Sequence, residues 1–234
     1  MLQTLLTIAL SPLLLAQGLY VRRTAVRLPD AVGARSGETG SGPPLRLLIL
    51  GDSAAAGVGT EAQADALSGQ LVQRLAGEHR VHWQLWAKTG RSSRNVLAVL
   101  ERAQAQPFDM VLTSIGVNDI TSGMRLRQWL ALHEHILAVL KDKFGAKRII
   151  VSALPPMQHF RALPQPLRWA LGRRAARFNA ALADAMRNDP VCRMLPIEFP
   201  FAPEFLASDG FHPSAAAYAI WAEQAAMLML EPAA

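Results

Sequence analysis

Short apolar runs alternate with longer segments of helical periodicity along most of the chain. Runs of strand length occupy residues 45–51, 81–87, 108–116, 148–155 and 191–197. Between them, apolar residues recur at helical spacing over 62–77, 92–105, 123–143 and 167–188, and a last such segment covers 214–230. Continuous apolar strands separated by helices are typical of a parallel sheet that is covered on both faces. The pattern therefore predicts an α/β fold, with a three-layer, doubly wound parallel sheet of about five strands.

The first part of the chain follows a different pattern. Residues 1–21 carry no charged side chain and are rich in leucine, and three arginines follow, at Arg22, Arg23 and Arg27. Residues 30–44 are rich in Gly, Ser and Pro, which is typical of a loop or linker. We therefore predict an apolar N-terminal segment (1–21), a basic and then Gly/Ser/Pro-rich linker (22–44) and one globular domain (45–234).

Three interpretations of residues 1–21 stay open. The length is about that of a membrane span, but Gln3, Pro12 and Gln17 make it marginal. A signal peptide is possible, with small residues around 16–18 for cleavage, and would imply a secreted or periplasmic protein. However, the cations follow the apolar run, which by the positive-inside rule keeps the next domain cytoplasmic. We favour an uncleaved, membrane-associating segment; the third interpretation is a helix that lies on the domain.

The composition of the chain bears on the classes of partner that it can bind. The formal net charge is +6, but the basic residues are scattered and not interleaved with aromatic residues, and nucleic-acid motifs are absent from the sequence. We therefore predict no nucleic-acid partner. The positive charge favours an anionic membrane surface as a partner instead. Cys192 is the only cysteine, which excludes an internal disulfide framework.

Residues with groups that acyl transfer can use follow several of the predicted strands. Ser53 follows the first strand, Gly90 the second and Asn118 the third, while Asp209 and His212 precede the last helix. Ligands of such sheets bind at the carboxyl ends of the strands, so these residues are expected to meet there. A serine nucleophile needs a base such as His212, and an imidazole needs a partner such as Asp209. The N–H groups of Ser53 and Gly90 and the Asn118 amide would supply oxyanion donors.

These residues resemble the motif blocks of the SGNH (GDSL-type) hydrolases. Ser53 stands in Gly-Asp-Ser (51–53), Asn118 in Gly-Val-Asn-Asp (116–119) and His212 in Asp-Gly-Phe-His-Pro (209–213), with Gly90 between the first two blocks. The resemblance covers about residues 45–230 and departs at Ala54, where the family name has leucine. It implies the flavodoxin-like fold of that family, a serine esterase or lipase without a cofactor, and the site roles given above. It also implies a small ester or thioester substrate, in a family whose members use simple esters, lysophospholipids, acyl thioesters and acetylated sugars.

Other polar residues are given structural interpretations. Asp52 and Asp119 are predicted to hydrogen-bond the loops that hold their neighbours. His133 and His135 are two positions apart on a predicted helix, so they do not face each other and are predicted to lie on a solvated face. We therefore predict no metal site.

The segment 153–174 bears on the substrate. Its apolar residues, among them Met157 and Phe160, are candidates for the wall of an acyl pocket or a mobile cover, with ordinary packing as the alternative. Two function hypotheses remain. The first is a serine hydrolase that cleaves esters or thioesters through an acyl-enzyme, and the second is a non-catalytic, membrane-associated binding or scaffold protein that retains the fold.

Overall fold

The protein contains one six-stranded sheet. The structure, a computed structural model, describes residues 9–198, 200 and 202–232. The strands are β1 (Ser36–Thr39), β2 (Pro44–Gly51), β3 (Arg80–Ala87), β4 (Met110–Ser114), β5 (Arg148–Ser152) and β6 (Cys192–Leu195). They are arranged in the order β1-β3-β2-β4-β5-β6, in which β2 to β6 are parallel and β1 pairs antiparallel with β3. The predicted α/β class with a doubly wound parallel sheet is confirmed, and the parallel strands have the flavodoxin-like order.

Helices cover both faces of the sheet. They are α1 (Ser11–Thr24), α2 (Leu67–Leu75), α3 (Ser93–Arg102), α4 (Val117–Thr121), α5 (Leu126–Asp142), α6 (Leu167–Met186) and α7 (Ala215–Leu230). Leu48 and Leu50 of β2 point into a core shared with α3, α5 and α6. Leu47 and Ile49 point to the opposite face, into a core shared with α2 and α7. Because both faces are buried, the strand is apolar at four consecutive positions, 47–50, and shows no alternation there.

The predicted linker is in part a strand, which corrects that prediction. Residues 36–39 pair with the outer edge of β3, from Ser36 opposite Gln84 to Thr39 opposite Val81. Further upstream, the side-chain amide of Gln63 donates to the backbone oxygen of Ala31 at 3.1 Å. The Ser-Gly-Glu-Thr sequence of β1 has little strand propensity of its own, so pairing with an open sheet edge decides its conformation.

The N-terminal helix α1 contacts the domain through a few hydrogen bonds and through Val21, which packs against the core cluster of α3, α5 and α6. The Gln17 amide donates to the backbone oxygen of Gln165 at 2.6 Å and accepts from the N–H of Leu167 at 3.0 Å. Arg22 donates to the backbone oxygen of Thr121 at 3.3 Å. Among the helices of the described ranges, none is long and apolar enough to cross a bilayer. Residues 1–8 of the predicted membrane segment lie outside the described residues.

Candidate active site

Ser53 lies in a tight turn at the carboxyl end of β2. A Cβ atom on Gly51, the last residue of the strand, would lie 2.5 Å from the backbone oxygen of Ser114, so only glycine lets β2 and β4 approach here. The N–H of Asp52 donates to that same oxygen at 3.1 Å, and the chain then turns away from the sheet. The strand order reverses between β2 and β4, so Ser53 lies at the switch point, where open α/β sheets bind ligands.

The loop that precedes α7 brings Asp209 and His212 to Ser53. The Nε2 atom of His212 lies 2.9 Å from Ser53 Oγ, and its Nδ1 atom lies 2.6 Å from Asp209 Oδ2. The other oxygen of Asp209 accepts from the N–H groups of Phe211 and His212, both at 3.0 Å. Because a carboxylate only accepts, Nδ1 carries the proton, and Nε2 is left to accept from the hydroxyl of Ser53.

Asp209 is held in its charged form. Its side chain is only 4% exposed. Burial by itself would raise the pKa of this carboxyl, but the hydrogen bonds from the His212 ring and from the two backbone N–H groups outweigh it and lower the pKa below its ordinary value. An ionised Asp209 fixes the tautomer of His212 and stabilises the imidazolium that forms when the ring takes a proton.

The side chain of Asn118 links the loop of Gly90 to the turn that holds Ser53. Gly90 has a φ of +82°, a conformation that favours glycine. Asn118, in the first turn of α4, donates to the backbone oxygen of Arg91 at 3.0 Å and to Asp52 Oδ2 at 3.3 Å. Asn118 therefore contacts the immediate neighbours of both Gly90 and Ser53. Within the described ranges, the backbone N–H groups of Ser53 and Gly90 have no protein acceptor.

Asp52 joins the serine turn to the Asn118 loop. Its side chain is buried, and it accepts from the N–H of Ala54 at 3.2 Å as well as from Asn118. Burial raises the pKa of Asp52 to about 7, and the hydrogen bond from Ala54 opposes that rise. These contacts agree with the structural role predicted for Asp52.

A small apolar cavity opens beside Ser53 and His212. Its volume is about 50 Å³, and its apolar lining comprises Ala54, Ile115, Val117, Ala153, Leu154, Pro155, Phe160, Ile197, Leu206, Phe211, Pro213 and Trp221. Phe160, predicted as a substrate contact, lies in this wall with its ring centroid 4.9 Å from that of Phe211. Met157, the other predicted contact, does not line the cavity and is corrected. It is fully buried in the core cluster, because the short 3₁₀ helix that carries it packs against α6.

Several residues of the cavity wall are not predicted by the sequence. Phe211 adjoins His212 and could have been found from that position, whereas Ile197, Leu206 and Trp221 have no sequence signal that separates them from core residues. They meet at the cavity because β6, the 3₁₀ helix at 203–205 and α7 converge at the same end of the sheet.

A second buried polar cluster lies behind the Asn118 loop. Asp119 Oδ2 accepts from Ser93 Oγ at 2.6 Å and from the Ser93 N–H at 3.0 Å, and Ser93 Oγ lies 3.1 Å from His133 Nε2. Burial raises the pKa of Asp119, against the opposing hydrogen bonds from Ser93. The structural role predicted for Asp119 agrees with these contacts.

The structure corrects the interpretation of His133. The side chain is 4% exposed and lies in the core, whereas His135 is exposed and lies 3.8 Å from Glu101. His133 shares the buried stripe of α5 with Trp129, Ile136 and Leu140. Trp129 lies four positions before His133, Ile136 lies three positions after it, and Leu140 lies one helical turn after Ile136. That stripe is the signal in the sequence that could have identified it.

The sequence and the fold both match known esterases. The model of the GDSL-like lipase/acylhydrolase family matches residues 49–220. A GDSL-like esterase of Mycobacterium tuberculosis is 30% identical over 241 residues, an alignment that covers 90% of this chain and 74% of the relative.

Solved structures of low sequence identity share the fold. A lipase from a goat rumen metagenome superimposes with a TM-score of 0.63 at 18% identity, over 79% of this chain and 97% of the other. An acetylxylan esterase of Geobacillus stearothermophilus superimposes with a TM-score of 0.58 at 20% identity, over 82% of this chain and 96% of the other.

These matches do not favour the hypothesis of a non-catalytic scaffold protein. The family match covers the strands β3 to β6 and every motif block, and the alignment with the mycobacterial esterase covers 74% of that relative. The chain belongs to the GDSL-like lipase/acylhydrolase family and is a carboxylic ester hydrolase.

Proposed function

We propose that the protein cleaves its ester through an acyl-enzyme formed on Ser53. The observation that carries this proposal is the continuous hydrogen-bonded chain from Ser53 Oγ to His212 Nε2, at 2.9 Å, and from His212 Nδ1 to Asp209, at 2.6 Å. Ser53 Oγ attacks the carbonyl carbon while its proton passes to Nε2. The protonated His212 then gives this proton to the leaving alcohol, and water attacks the acyl-enzyme by the reverse route.

Three hydrogen-bond donors stabilise the negative charge of the tetrahedral intermediate in this mechanism. The N–H groups of Ser53 and Gly90 lack other acceptors within the described ranges, so no hydrogen bond to the protein has to break before they bind the oxyanion. Asn118 keeps its shorter hydrogen bond to Arg91 and turns its second amide hydrogen from Asp52, at 3.3 Å, to the oxyanion. In this role, Asn118 donates to Asp52 before the reaction and to the oxyanion during it.

The cavity favours a short, apolar acyl group. The cavity has a volume of about 50 Å³ and a largely apolar wall, so we expect a chain of a few carbons to fit better than a long one. Phe160, Phe211 and Leu154 would contact the chain, and no charged side chain other than the site's own Asp52 and His212 lines this part of the described structure. The alcohol or thiol side of the substrate would face solvent, so thioesters of the same acyl groups are candidate substrates as well.

Hydrolysis of a series of 4-nitrophenyl esters tests the proposal. We expect turnover of acetate, propionate and butyrate and a steep fall for octanoate, with the acyl-thioester series in parallel. The Ser53→Ala variant is expected to lose at least about 10⁴-fold in kcat, since the nucleophile is absent. Ser36→Ala, which changes an exposed serine of β1, serves as the matched control and should behave as wild type. Near wild-type hydrolysis by Ser53→Ala would exclude the acyl-enzyme.

We also propose an anionic membrane surface as a partner, bound through α1. Five of the eight large apolar side chains that are exposed among the described residues lie between positions 13 and 26: Leu13, Leu15, Leu19, Tyr20 and Val26. The same region carries Arg22, Arg23 and Arg27, and the first acidic residue of the chain is Asp30. Apolar side chains next to cations are typical of helices that lie in the interface of an anionic bilayer. The cations follow the apolar run, which favours a cytoplasmic location of the hydrolase domain.

Sedimentation of the full chain with lipid vesicles tests this partner. We expect binding to vesicles that contain phosphatidylglycerol, weaker binding to pure phosphatidylcholine, and a further decrease at high salt. A Leu15→Ser/Leu19→Ser variant should lose binding, whereas Met227→Ser, which changes an exposed apolar residue of α7, should not. Equal binding by all three proteins, or binding to neither lipid, would contradict the proposal. A mature protein recovered from the periplasm or medium without the apolar segment would establish a cleaved signal peptide instead.

A further inference from the structure

The two loops that carry oxyanion donors meet at a buried polar cluster that the proposed reaction does not use. The Gly90 loop leads into α3 at Ser93, and Asn118 is followed by Asp119. Ser93 and Asp119 are both fully buried and are joined by three hydrogen bonds, of 2.6, 3.0 and 3.1 Å. The carboxylate thus ties the first residue of α3 to the turn that holds Asn118.

The third member of the cluster, His133, comes from a different element. It projects from α5, and its ring lies 4.0 Å from that of Trp129 between centroids. When Asp119 is ionised its carboxylate only accepts, so Ser93 Oγ donates the hydrogen bond of 2.6 Å to Asp119 Oδ2. The hydroxyl oxygen must therefore accept at its contact of 3.1 Å with His133, which makes Nε2–H of His133 the donor. Burial lowers the pKa of His133 to about 3, so the ring is neutral at neutral pH and can hold this tautomer.

The hydrogen-bond directions give a single chain from the core helix to the oxyanion site. His133 donates to Ser93, Ser93 donates to Asp119, and Asp119 is joined by one peptide bond to Asn118. Asn118 in turn donates to Arg91, next to Gly90, which closes the connection between the two loops. Networks of this kind restrict side chains to one arrangement more strongly than any single contact does. An oxyanion hole depends on such restriction, because misplaced donors lose their effect on the transition state.

We infer that His133 is a positioning residue for the oxyanion hole: through Ser93 and Asp119 it holds the Asn118 amide and the Gly90 loop in place. This inference rests on the proposed function, in which those groups bind the oxyanion. His133 itself touches neither Ser53 nor His212 and takes no part in proton transfer.

Steady-state kinetics of three variants form the first test. His133→Leu keeps an apolar volume but removes the donor, and we expect kcat to fall about tenfold to a hundredfold with KM changed less than about twofold. His133→Gln places an amide N–H near the position of Nε2 and should restore most of kcat. His135→Leu, two positions along on the exposed face of α5, is the matched control and should behave as wild type. The active fraction is measured by titration with a phosphonate, so a loss of folded protein does not imitate a loss of kcat.

A double-mutant cycle separates positioning from a general structural effect. Because His133 acts through Asn118 as well as through the Gly90 loop, His133→Leu should lower kcat by clearly less in an Asn118→Ala background than it does in the wild-type protein. The full loss in that background, failure of Gln to restore kcat, or an unchanged kcat in His133→Leu would each overturn the inference. Ser93→Ala breaks the same chain at another atom and should reproduce the loss, so the test stands even if His133→Leu fails to fold.

Amide hydrogen exchange gives a readout that does not depend on turnover. In His133→Leu, we expect faster exchange in peptides that cover residues 88–95 and 116–122 and unchanged exchange around 209–212. Unchanged exchange in both loops would overturn the inference. If the wild-type protein hydrolysed no ester, the proposed function would fail, while the exchange comparison would still decide whether His133 orders these loops.

Discussion

The Nε2 atom of His212 lies 2.9 Å from the Oγ atom of Ser53, although the two residues are 159 positions apart in the chain. Ser53 follows the strand at the centre of the sheet, and His212 immediately precedes the last helix, which packs on one face of that sheet. Their contact therefore depends on the complete fold. Asp209 extends the contact within the same loop as His212, where a separation of three residues lets the carboxylate reach Nδ1.

Replacement of Asp209 tests the role of that carboxylate. Asp209→Asn keeps the shape and an oxygen for the N–H groups of Phe211 and His212, but it no longer stabilises the imidazolium or fixes its tautomer. We expect kcat to fall by about 10⁴-fold with a near-normal fold. Asp184→Asn, at an exposed position of α6, is the control. An Asp209→Asn protein that retains a tenth of wild-type kcat would show that His212 does not need this partner.

Asn118 is expected to act on the transition state and not on substrate binding. Asn118→Ala removes one of three oxyanion donors and should lower kcat by about 10²–10³-fold with little change in KM. Asn188→Ala, which changes an exposed asparagine after α6, should leave both constants unchanged. A rise in KM without a fall in kcat would mean that Asn118 positions the substrate instead.

The small side chain of Ala54 is expected to determine which lengths of acyl chain the cavity accepts. It lines the small cavity, and leucine, which the family name has at this position, would add three carbons beside the nucleophile. Since one methylene in an apolar pocket changes selectivity by about 10–200-fold, Ala54→Leu should lower kcat/KM for butyrate at least about tenfold relative to acetate. Ala64→Leu adds the same carbons at an exposed site and is the control. An unchanged acetate-to-butyrate ratio would place the acyl chain elsewhere.

Asp52 makes the stability depend on pH in a direction that can be measured. Its pKa is about 7 in the folded protein and near 3.8 in an unfolded chain, so the folded state binds the extra proton between these values. Stability contributed at this site is therefore present at acidic pH and lost as the pH rises towards 7. Asp52→Asn removes the titration, so its stability relative to wild type should increase from pH 5 to pH 8, by no more than a few kcal/mol.

Urea denaturation of both proteins at the two pH values measures this difference. Other groups also titrate in the range, and the comparison between the two proteins removes their contribution. Asp184→Asn, which changes an exposed carboxylate, should show a difference that does not vary with pH. A constant difference for Asp52→Asn would mean that Asp52 is ionised at low pH in the folded protein.

The features that the sequence predicted are those that local patterns determine. Strand β2 is apolar at consecutive positions because both faces are covered, and a glycine, an aspartate and a serine follow where the chain must turn. The order of motif blocks along the chain places Ser53, Gly90, Asn118 and His212 at one end of a parallel sheet. Each of these inferences needs only short segments and the rule that strand ends share an edge.

The features that the sequence does not predict depend on contacts between distant segments of the chain. Ser36–Thr39 is a strand only because the edge of β3 is available to it. Met157 and Phe160 both lie in a loop of mixed apolar character, and the packing of α6 decides that only Phe160 faces the cavity. The burial of His133 follows from the apolar stripe of α5, but its contact with Ser93, forty positions away, has no signal in the sequence.

Covalent trapping of the nucleophile tests the proposed mechanism most directly. The full-length protein is treated with a fluorophosphonate, digested and analysed by mass spectrometry, while residual hydrolysis of 4-nitrophenyl acetate is followed in the same sample. We expect one adduct, on the peptide that contains Ser53, to form in proportion to the loss of activity, and to be absent from Ser53→Ala. Complete loss of activity with an unmodified Ser53, or full activity after Ser53 is modified, would contradict the role of Ser53 as the nucleophile.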